Sequence, residues 1–238
     1  MTNPVYPKNV DPNVVAANLA GVGFDELSRT IPLFPLTGML LLPRGNLPLR
    51  IFEPRYLAMI SDAMDGDRLI GMVQPADANE DMLDGSKAPA TYRAGCVGRI
   101  MMHEAGDDGT QHITLTGICR FSIVDELPVK RGYRRALVSY ARYRRDLEPE
   151  DSGPVDRGGL FDALRGYFEV HDFGTEWDAL EKFPGEALVT SLAMMCPFEP
   201  REKQALLEAG TLAERAKVLT TLLELSSLVG EGGPGVMH

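Results

Sequence analysis

The feature that most constrains the fold of this chain is a change in the spacing of its apolar residues. Up to residue 147, short runs in which apolar and polar residues alternate predict β-strands, whereas after residue 160 apolar residues recur at helical spacing. The stretch between them, EPEDSGPVDRGG at residues 148–159, is rich in proline, glycine and acidic residues, as is typical of a linker. Two periods in separate blocks predict an α+β fold built from two units.

The β-rich unit, residues 29–147, is predicted to contain mostly antiparallel strands and one early helix. Pro54 suits the first turn of that helix and Gly66 suits its end. The triplet Asp107-Asp108-Gly109 separates two apolar runs and therefore indicates a hairpin. Further strands are predicted at Met39–Leu42, Cys119–Val124 and Ala136–Tyr143. Strands at this spacing favour a small barrel.

The second unit, residues 160–229, is predicted to be a helical bundle. Thr211 followed by Glu214 forms a capping box that starts the last helix. Earlier helices are predicted from the apolar sets Trp177, Leu180, Phe183 and Leu188, Leu192, Met195. Outside the two units, residues 1–28 are expected to form an accessory arm, and the glycine-rich tail, residues 230–238, is expected to be disordered.

Composition excludes several classes of protein. With 44% hydrophobic residues among 238, the chain can bury a core and is not an intrinsically disordered protein. Its longest apolar runs are too short to cross a membrane, and no secretory signal is evident at its start. The three cysteines, Cys96, Cys119 and Cys196, lie inside apolar runs and are expected to be buried, reduced core residues. A cytoplasmic protein is therefore expected.

No pattern of catalytic residues emerges from the sequence. Residues 85–87, Gly-Ser-Lys, resemble the end of a phosphate-binding loop, but Glu80 replaces the glycine that such a loop needs. His103, Glu104 and His112 flank the predicted hairpin turn, where two imidazoles could face one another. A solvated hairpin end is the favoured interpretation, because the spacing offers no third ligand. We therefore predict no catalytic residue, metal or cofactor, and an enzyme that uses these three side chains is the weakest alternative.

A basic run, KRGYRRALVSYARYRR at residues 130–145, carries seven basic residues and no acidic one. Arginines interleaved with tyrosines can bind phosphates and stack on bases. The candidate RNA-binding residues in this run are Arg134, Arg135, Arg142 and Arg144. The alternative is a strand whose charged face prevents pairing with other chains. The net charge of −10 favours that alternative.

Four stretches in order resemble the N-terminal substrate-binding domain of the Lon protease. They are IPLFPL at residues 31–36, LPLRIFEPRY at 47–56, GCVGRI at 95–100 and LTGICRF at 115–121. The second stretch is the most specific. A later run, PREKQALLE at residues 200–208, resembles the helical part of the same domain.

The resemblance, which covers residues 29–229, implies a PUA-like antiparallel β pseudo-barrel followed by a helical bundle. In full-length Lon this region helps to recognise unfolded or tagged proteins, and the ATPase and Ser-Lys peptidase domains follow it. This sequence ends at His238 without a phosphate-binding loop, so we expect a stand-alone, non-catalytic module that lacks those domains. Its expected partners are unfolded or tagged proteins and peptides, with a protease or a chaperone as a further candidate. An RNA-binding PUA-like protein is the alternative, and the oligomeric state stays open.

The start of the early helix is the predicted binding surface. An apolar patch near Met59 with Arg55 at its rim would suit unfolded clients, and Glu53 lies beside it. Structural roles compete at each position. In the structural alternative, Glu53 serves only as a helix cap and Arg55 serves only as its ion-pair partner. The N-terminal arm or the helical unit would then cover Met59 and make it part of the core.

Overall fold

A six-stranded sheet dominates the first part of the computed structural model, which describes residues 24–76, 90–148, 155–172 and 174–231. A 3-10 turn, Phe24–Glu26, precedes the sheet, and a longer 3-10 helix, Ala141–Leu147, follows it. The strands are β1 (Thr30–Pro35), β2 (Asn46–Ile51), β3 (Leu69–Val73), β4 (Ala94–Ala105), β5 (Gln111–Lys130) and β6 (Tyr133–Ser139). Helix α1 (Pro54–Met64) lies between β2 and β3, as the sequence predicts.

Pairing at both ends turns this sheet into a ring. The strand order is β2-β5-β4-β3-β1-β6, and β6 also pairs with β5. The closed ring therefore consists of five strands, β5, β4, β3, β1 and β6. Strand β2 lies outside this ring and pairs with β5. All pairs are antiparallel except β1 with β3, which are parallel because β2 and α1 form the crossover between them. The predicted α+β class is confirmed, with a ring of strands rather than a complete barrel.

Strand β5 is longer than the sequence predicts, at 20 residues. The predicted strand Cys119–Val124 is only its central part. A turn with Gly109 at φ +79° connects β5 to β4, and Arg131 and Gly132, both at positive φ, connect it to β6. The predicted strand Ala136–Tyr143 is wrong beyond Ser139, because the chain leaves the sheet there and enters the 3-10 helix.

The predicted strand at Met39–Leu42 is also wrong, although Leu40, Leu41 and Leu42 are buried as expected. Side chains, rather than a neighbouring strand, bond the backbone here. The Gln74 amide accepts from the Gly38 N–H at 3.0 Å and donates to the Met39 carbonyl at 2.5 Å. The buried Lys203 ammonium donates to the Gly38 carbonyl at 2.7 Å. The start of this segment is therefore bonded without sheet geometry.

Five helices complete the described fold: α2 (Arg157–Val170), α3 (Trp177–Glu181), α4 (Gly185–Met195), α5 (Pro200–Glu208) and α6 (Leu212–Glu231). The predicted capping box of α6 is confirmed. The Glu214 N–H donates to the Thr211 hydroxyl at 3.2 Å, and the Thr211 N–H donates to the Glu214 carboxylate at 3.2 Å. None of the helices in the described ranges is long and apolar enough to cross a membrane.

The structure refines several predicted boundaries in the helical part. Helix α2 begins inside the predicted linker, at Arg157, and α6 continues into the predicted tail as far as Glu231. Phe183 and Met195, each the last member of a predicted apolar set, are 44% and 51% exposed and so do not belong to the core. Residues 1–23, 149–154 and 232–238 lie outside the described residues, and the division into two units stays a prediction.

Two apolar clusters hold the fold together. One fills the ring and includes Ile31, Leu33, Val97, Phe121 and Val138. The other joins the outer face of the sheet, helix α1 and the C-terminal helices, with members such as Leu42, Met59, Leu115, Leu164 and Leu219. The second cluster shows that the helical part packs on the β-rich part and shares its core.

An ion pair inside the protein connects the same two parts. Arg120 on β5 and Asp146 in the 3-10 helix are 6% and 7% exposed, and the Arg120 Nη2 lies 2.7 Å from Asp146 Oδ1. The Arg120 Nη1 donates to the Leu207 carbonyl at 2.9 Å and to the Ala209 carbonyl at 2.5 Å, at the end of α5. One guanidinium thus binds the sheet, the 3-10 helix and the helical part together.

We expect Asp146→Ala to lower the free energy of unfolding by about 3–5 kcal/mol, because it leaves the Arg120 charge buried without its partner. Glu181→Ala is the matched control. It breaks the Arg165–Glu181 pair, in which both side chains are more than half exposed, and should cost less than about 1 kcal/mol. Urea denaturation of both variants measures the difference. If both variants lose the same free energy of unfolding, Asp146 does not stabilise the buried charge of Arg120.

Candidate functional site

Helix α1 buries the residue that the sequence places at the centre of an apolar surface patch. Met59 is 0% exposed and packs in the cluster shared by the sheet and the helices. The predicted patch around Met59 is therefore wrong. Helix α1 packs on β1 and β6, and its buried face lies in the cluster that continues into the C-terminal helices, so Met59 is a core residue, which is the alternative that the sequence left open.

Glu53 and Arg55 do lie at the surface, at the start of α1. The Arg55 Nη2 lies 2.7 Å from Glu53 Oε2, and the Arg55 Nε donates to the same oxygen at 2.9 Å. The guanidinium also lies over the Tyr56 ring, 4.5 Å from its centroid. The Glu53 side chain caps no N–H group of the helix. Glu53 and Arg55 therefore form a charged pair at the surface, which we call the rim. Its role in peptide binding stays a prediction.

Phe52, which the sequence analysis did not choose as a site residue, adjoins this rim. Its side chain is 66% exposed, whereas the preceding Ile51 is 3% exposed. The alternation of side chains along a strand predicts this exposure, since successive side chains point to opposite faces and Ile51 points to the core. An exposed aromatic ring beside a charged pair is the kind of surface that binds apolar side chains of another chain.

The hairpin between β5 and β6 packs against the same helix. Asp62 on α1 accepts a hydrogen bond from the Tyr133 hydroxyl at 2.6 Å and pairs with Lys130 at 3.1 Å and Arg131 at 2.6 Å. The bond from Tyr133 is the main reason that the pKa of Asp62 falls to about 2. Burial, together with Asp62, raises the pKa of Tyr133 to about 12. At neutral pH the Asp62 carboxyl is therefore ionised and the Tyr133 hydroxyl keeps its proton, so the bond between them holds the hairpin on α1.

The predicted RNA-binding residues do not form one cluster. Arg134 pairs with Glu126, and Arg135 donates to the Pro128 carbonyl at 3.1 and 3.3 Å, so both bond within their own hairpin. The other two arginines lie on the 3-10 helix. Arg142 lies 5.5 Å from the Tyr143 ring centroid, and Arg144 lies 5.0 Å from that of Phe24. Binding of RNA by these four residues stays a prediction.

One arginine of the basic run lies near the rim at α1. Arg134 is paired with Leu33 in the ladder of β1 and β6, and the ring of the next residue, Phe34, lies 4.4 Å from that of Tyr56, on which Arg55 rests. Arg134 thus lies on the part of the sheet that packs against the start of α1, whereas Arg142 and Arg144 lie on the 3-10 helix.

The imidazoles that flank the first hairpin turn do not face one another. Glu104 is paired with His112 in the ladder, and His103 is paired with Ile113, so the two imidazoles project from opposite faces. His103 instead bonds the Gln111 side chain at 3.3 Å. Within the described ranges, no group of three or more His, Cys, Asp or Glu residues could hold a metal ion.

The three cysteines are free and buried, as predicted. Burial is the main reason that the pKa of the Cys119 thiol rises to about 12 and that of Cys196 to about 11, and it also raises the pKa of Cys96. A thiol with a raised pKa carries almost no thiolate at neutral pH. These cysteines are therefore core side chains and not nucleophiles.

Comparison with known proteins gives a consistent match over most of the chain. A sequence model described as the ATP-dependent protease La (LON) substrate-binding domain matches residues 30–224. Lon protease 2 of Myxococcus xanthus is 28% identical over 203 residues, which are 84% of this chain and 24% of that protein. Lon protease of Anaeromyxobacter dehalogenans is 26% identical over 203 residues, or 84% of this chain and 23% of that protein. The chain thus spans about a quarter of the length of these relatives.

Two solved structures share the fold. A Lon N-terminal domain protein from Xanthomonas campestris has a TM-score of 0.54 and 23% identity, covering 81% of this chain and 97% of that one. The N-terminal domain of a Mycobacterium avium complex Lon protease has a TM-score of 0.56 and 14% identity, covering 82% of this chain and 97% of that one. At these identities the likeness concerns the fold alone.

The burial of Met59 leads to a test by substitution. We expect Met59→Ala to lower the free energy of unfolding by about 2–5 kcal/mol, because it leaves a cavity in the shared core. Met195→Ala, at a methionine that is 51% exposed, should change it by about 0.5 kcal/mol or less. Urea denaturation of the two variants measures both values. A small effect of Met59→Ala would show that α1 does not depend on this contact.

Proposed function

Because this chain belongs to the ATP-dependent protease La (LON) substrate-binding domain family, we propose that it is a non-catalytic module that binds unfolded or tagged proteins and peptides. In this proposal it acts as an adaptor or chaperone-like factor and presents its clients to a protease or a chaperone. The family match covers residues 30–224, so nearly all of the described structure belongs to the binding domain.

The observation that carries the proposal is the exposed Phe52 ring beside the Glu53–Arg55 pair. Unfolded chains differ from folded proteins in the apolar side chains that they expose, and Phe52 offers them an apolar contact that is 66% open to solvent. The adjacent charges can bond polar groups of a client backbone or side chain, because Arg55 and Glu53 are 35% and 41% exposed.

The start of α1 is held rigidly behind this surface. Met59 and Ile60 on the same helix are fully buried, and Asp62 ties the helix to the hairpin of β5 and β6. Gly132 in that hairpin lies directly on Arg55, since a Cβ atom at Gly132 would be 3.2 Å from the Arg55 Cβ. A binding surface on a rigid element loses little conformational entropy when a client binds.

The proposal also covers the absence of catalysis by this chain. The match covers 24% of Lon protease 2 and 23% of the Anaeromyxobacter dehalogenans protein, and the family model that matches this chain describes a substrate-binding domain. The buried thiols with raised pKa values cannot serve as nucleophiles. The cytoplasm is the proposed location, because three unpaired thiols suit a reducing compartment.

Phe52→Ser is expected to weaken binding of an unfolded client by about tenfold or more, because aromatic side chains dominate binding surfaces of this kind. Reduced, carboxymethylated lactalbumin is a suitable client, and fluorescence anisotropy measures its dissociation constant. Phe183→Ser is the matched control, since Phe183 is 44% exposed but lies in the helical part. Equal affinities of the two variants would contradict a role for Phe52.

The purified chain is expected to show no ATP-dependent degradation of casein, because its family match is confined to the binding domain. Release of labelled casein fragments, with and without ATP, measures this activity. An intact Lon protease serves as the positive control. Degradation that copurifies with this chain through several columns would overturn the non-catalytic part of the proposal.

A further inference from the structure

The hairpin of β4 and β5 extends beyond the ring of strands, and within the described ranges one side of this extension pairs with no further strand. β3 pairs with β4 along Cys96–Arg99, and the contact that follows is the Ile100 N–H, which donates to the Arg68 carbonyl at 2.9 Å. From there to Ala105, β4 continues to pair with β5. Among the described residues, no strand pairs with the other side of this part of β4. We call residues 102–105 the β4 edge.

The spacing of backbone N–H and C=O groups at the β4 edge suits an extended polypeptide. The register shifts between Ile100 and Met102, and the ladder with β5 then runs regularly from Met102–Thr114 to Ala105–Gln111. In such a ladder every second residue directs its N–H and C=O groups away from the partner strand. A row of unpaired groups at this spacing is complementary to another extended backbone, which can add to the sheet as a further strand.

The opposite edge of the same three-stranded ribbon carries a proline, and the β4 edge does not. There β2 covers β5 and carries Pro48 at its centre, which has no N–H to offer. Natural sheets protect their edges with proline, charged side chains or bulges. The β4 edge has no proline. It follows the register shift after Ile100, carries one acidic residue, Glu104, and exposes Met102, which is 51% open to solvent, beside Met101, which is 39% open.

We propose that the β4 edge binds an extended segment of an unfolded polypeptide as an added strand. The inference rests on the proposed function, to which it adds a second contact and a mode of recognition. The register aligns Ala105, Gln111 and Ile51 across the three strands, so Phe52 lies at the same end of the ribbon. Two strand spacings, roughly 10 Å, separate β2 from β4, so one client chain can reach both contacts.

Charge selects among the segments that could pair here. Glu104 lies in the edge, Asp107 lies in the turn that follows, and the chain carries a net charge of −10. This charge favours segments that contain Lys or Arg among apolar residues, and it opposes pairing with a second copy of the same chain. The flexible methionine side chains adapt to apolar residues of different shape.

The test uses a short synthetic peptide of alternating valine and lysine, and its N-methylated forms. The unmodified peptide should protect the amides of residues 102–105 from hydrogen exchange. N-methylation on the set of alternate residues that faces β4 should weaken binding by about tenfold, because it removes the bonding N–H groups. Met102→Lys should have a similar effect, whereas Met195→Lys adds the same charge at a methionine that is also 51% exposed and should leave the affinity unchanged.

The possible outcomes separate this inference from the proposed function. If both N-methylated forms bind as well as the unmodified peptide, or protection appears elsewhere, strand addition at the β4 edge is wrong. Protection of residues 102–105 that grows with protein concentration in the absence of peptide would make a second copy the occupant and would overturn the inference. Carboxymethylated lactalbumin tests the proposed function separately, because binding that needs Phe52 but not Met102 keeps that function and rejects the β4 edge.

Discussion

The buried pair of Arg120 and Asp146 is the contact on which the rest of this structure depends. A guanidinium that is almost fully removed from water must be matched by acceptors on every side. Asp146 supplies both carboxylate oxygens, and the carbonyls of Leu207 and Ala209 supply the rest. The Tyr143 ring covers the remaining face, with its centroid 4.7 Å from the guanidinium carbon. The charge is satisfied only when the sheet, the 3-10 helix and α5 are all in place.

A second buried cation has a similar effect between the sheet and the helices. Lys203 on α5 is 4% exposed and donates to carbonyls of Gly38 and Met194. Burial lowers the pKa of its ammonium group. Together with Gln74, Lys203 bonds the backbone at Gly38 and Met39, which leads into the buried leucines. Both cations therefore bind the helical part to the β-rich part through main-chain carbonyls.

This packing decides which surfaces stay available to a partner. Helix α1 buries its Met59 side in the core, whereas Phe52, Glu53 and Arg55, at the start of the helix, stay accessible to solvent. The ribbon of β2, β5 and β4 reaches beyond the ring, and its β4 edge has no strand partner among the described residues. The two candidate contacts for a client therefore lie on the rigid β-rich part.

The sequence alone determined the class of the fold, the position of α1, the hairpin at Gly109 and the capping box of α6. These features depend on local chemistry, such as a proline at a helix start or a glycine that adopts positive φ. The stretch LPLRIFEPRY also carries the resemblance to the family. The tertiary structure decided the burial of Met59, the exposure of Phe52 and the irregular path of Met39–Leu42. Each of these depends on a neighbour that is distant in the chain, and the period of a strand or helix specifies a face without specifying what covers it.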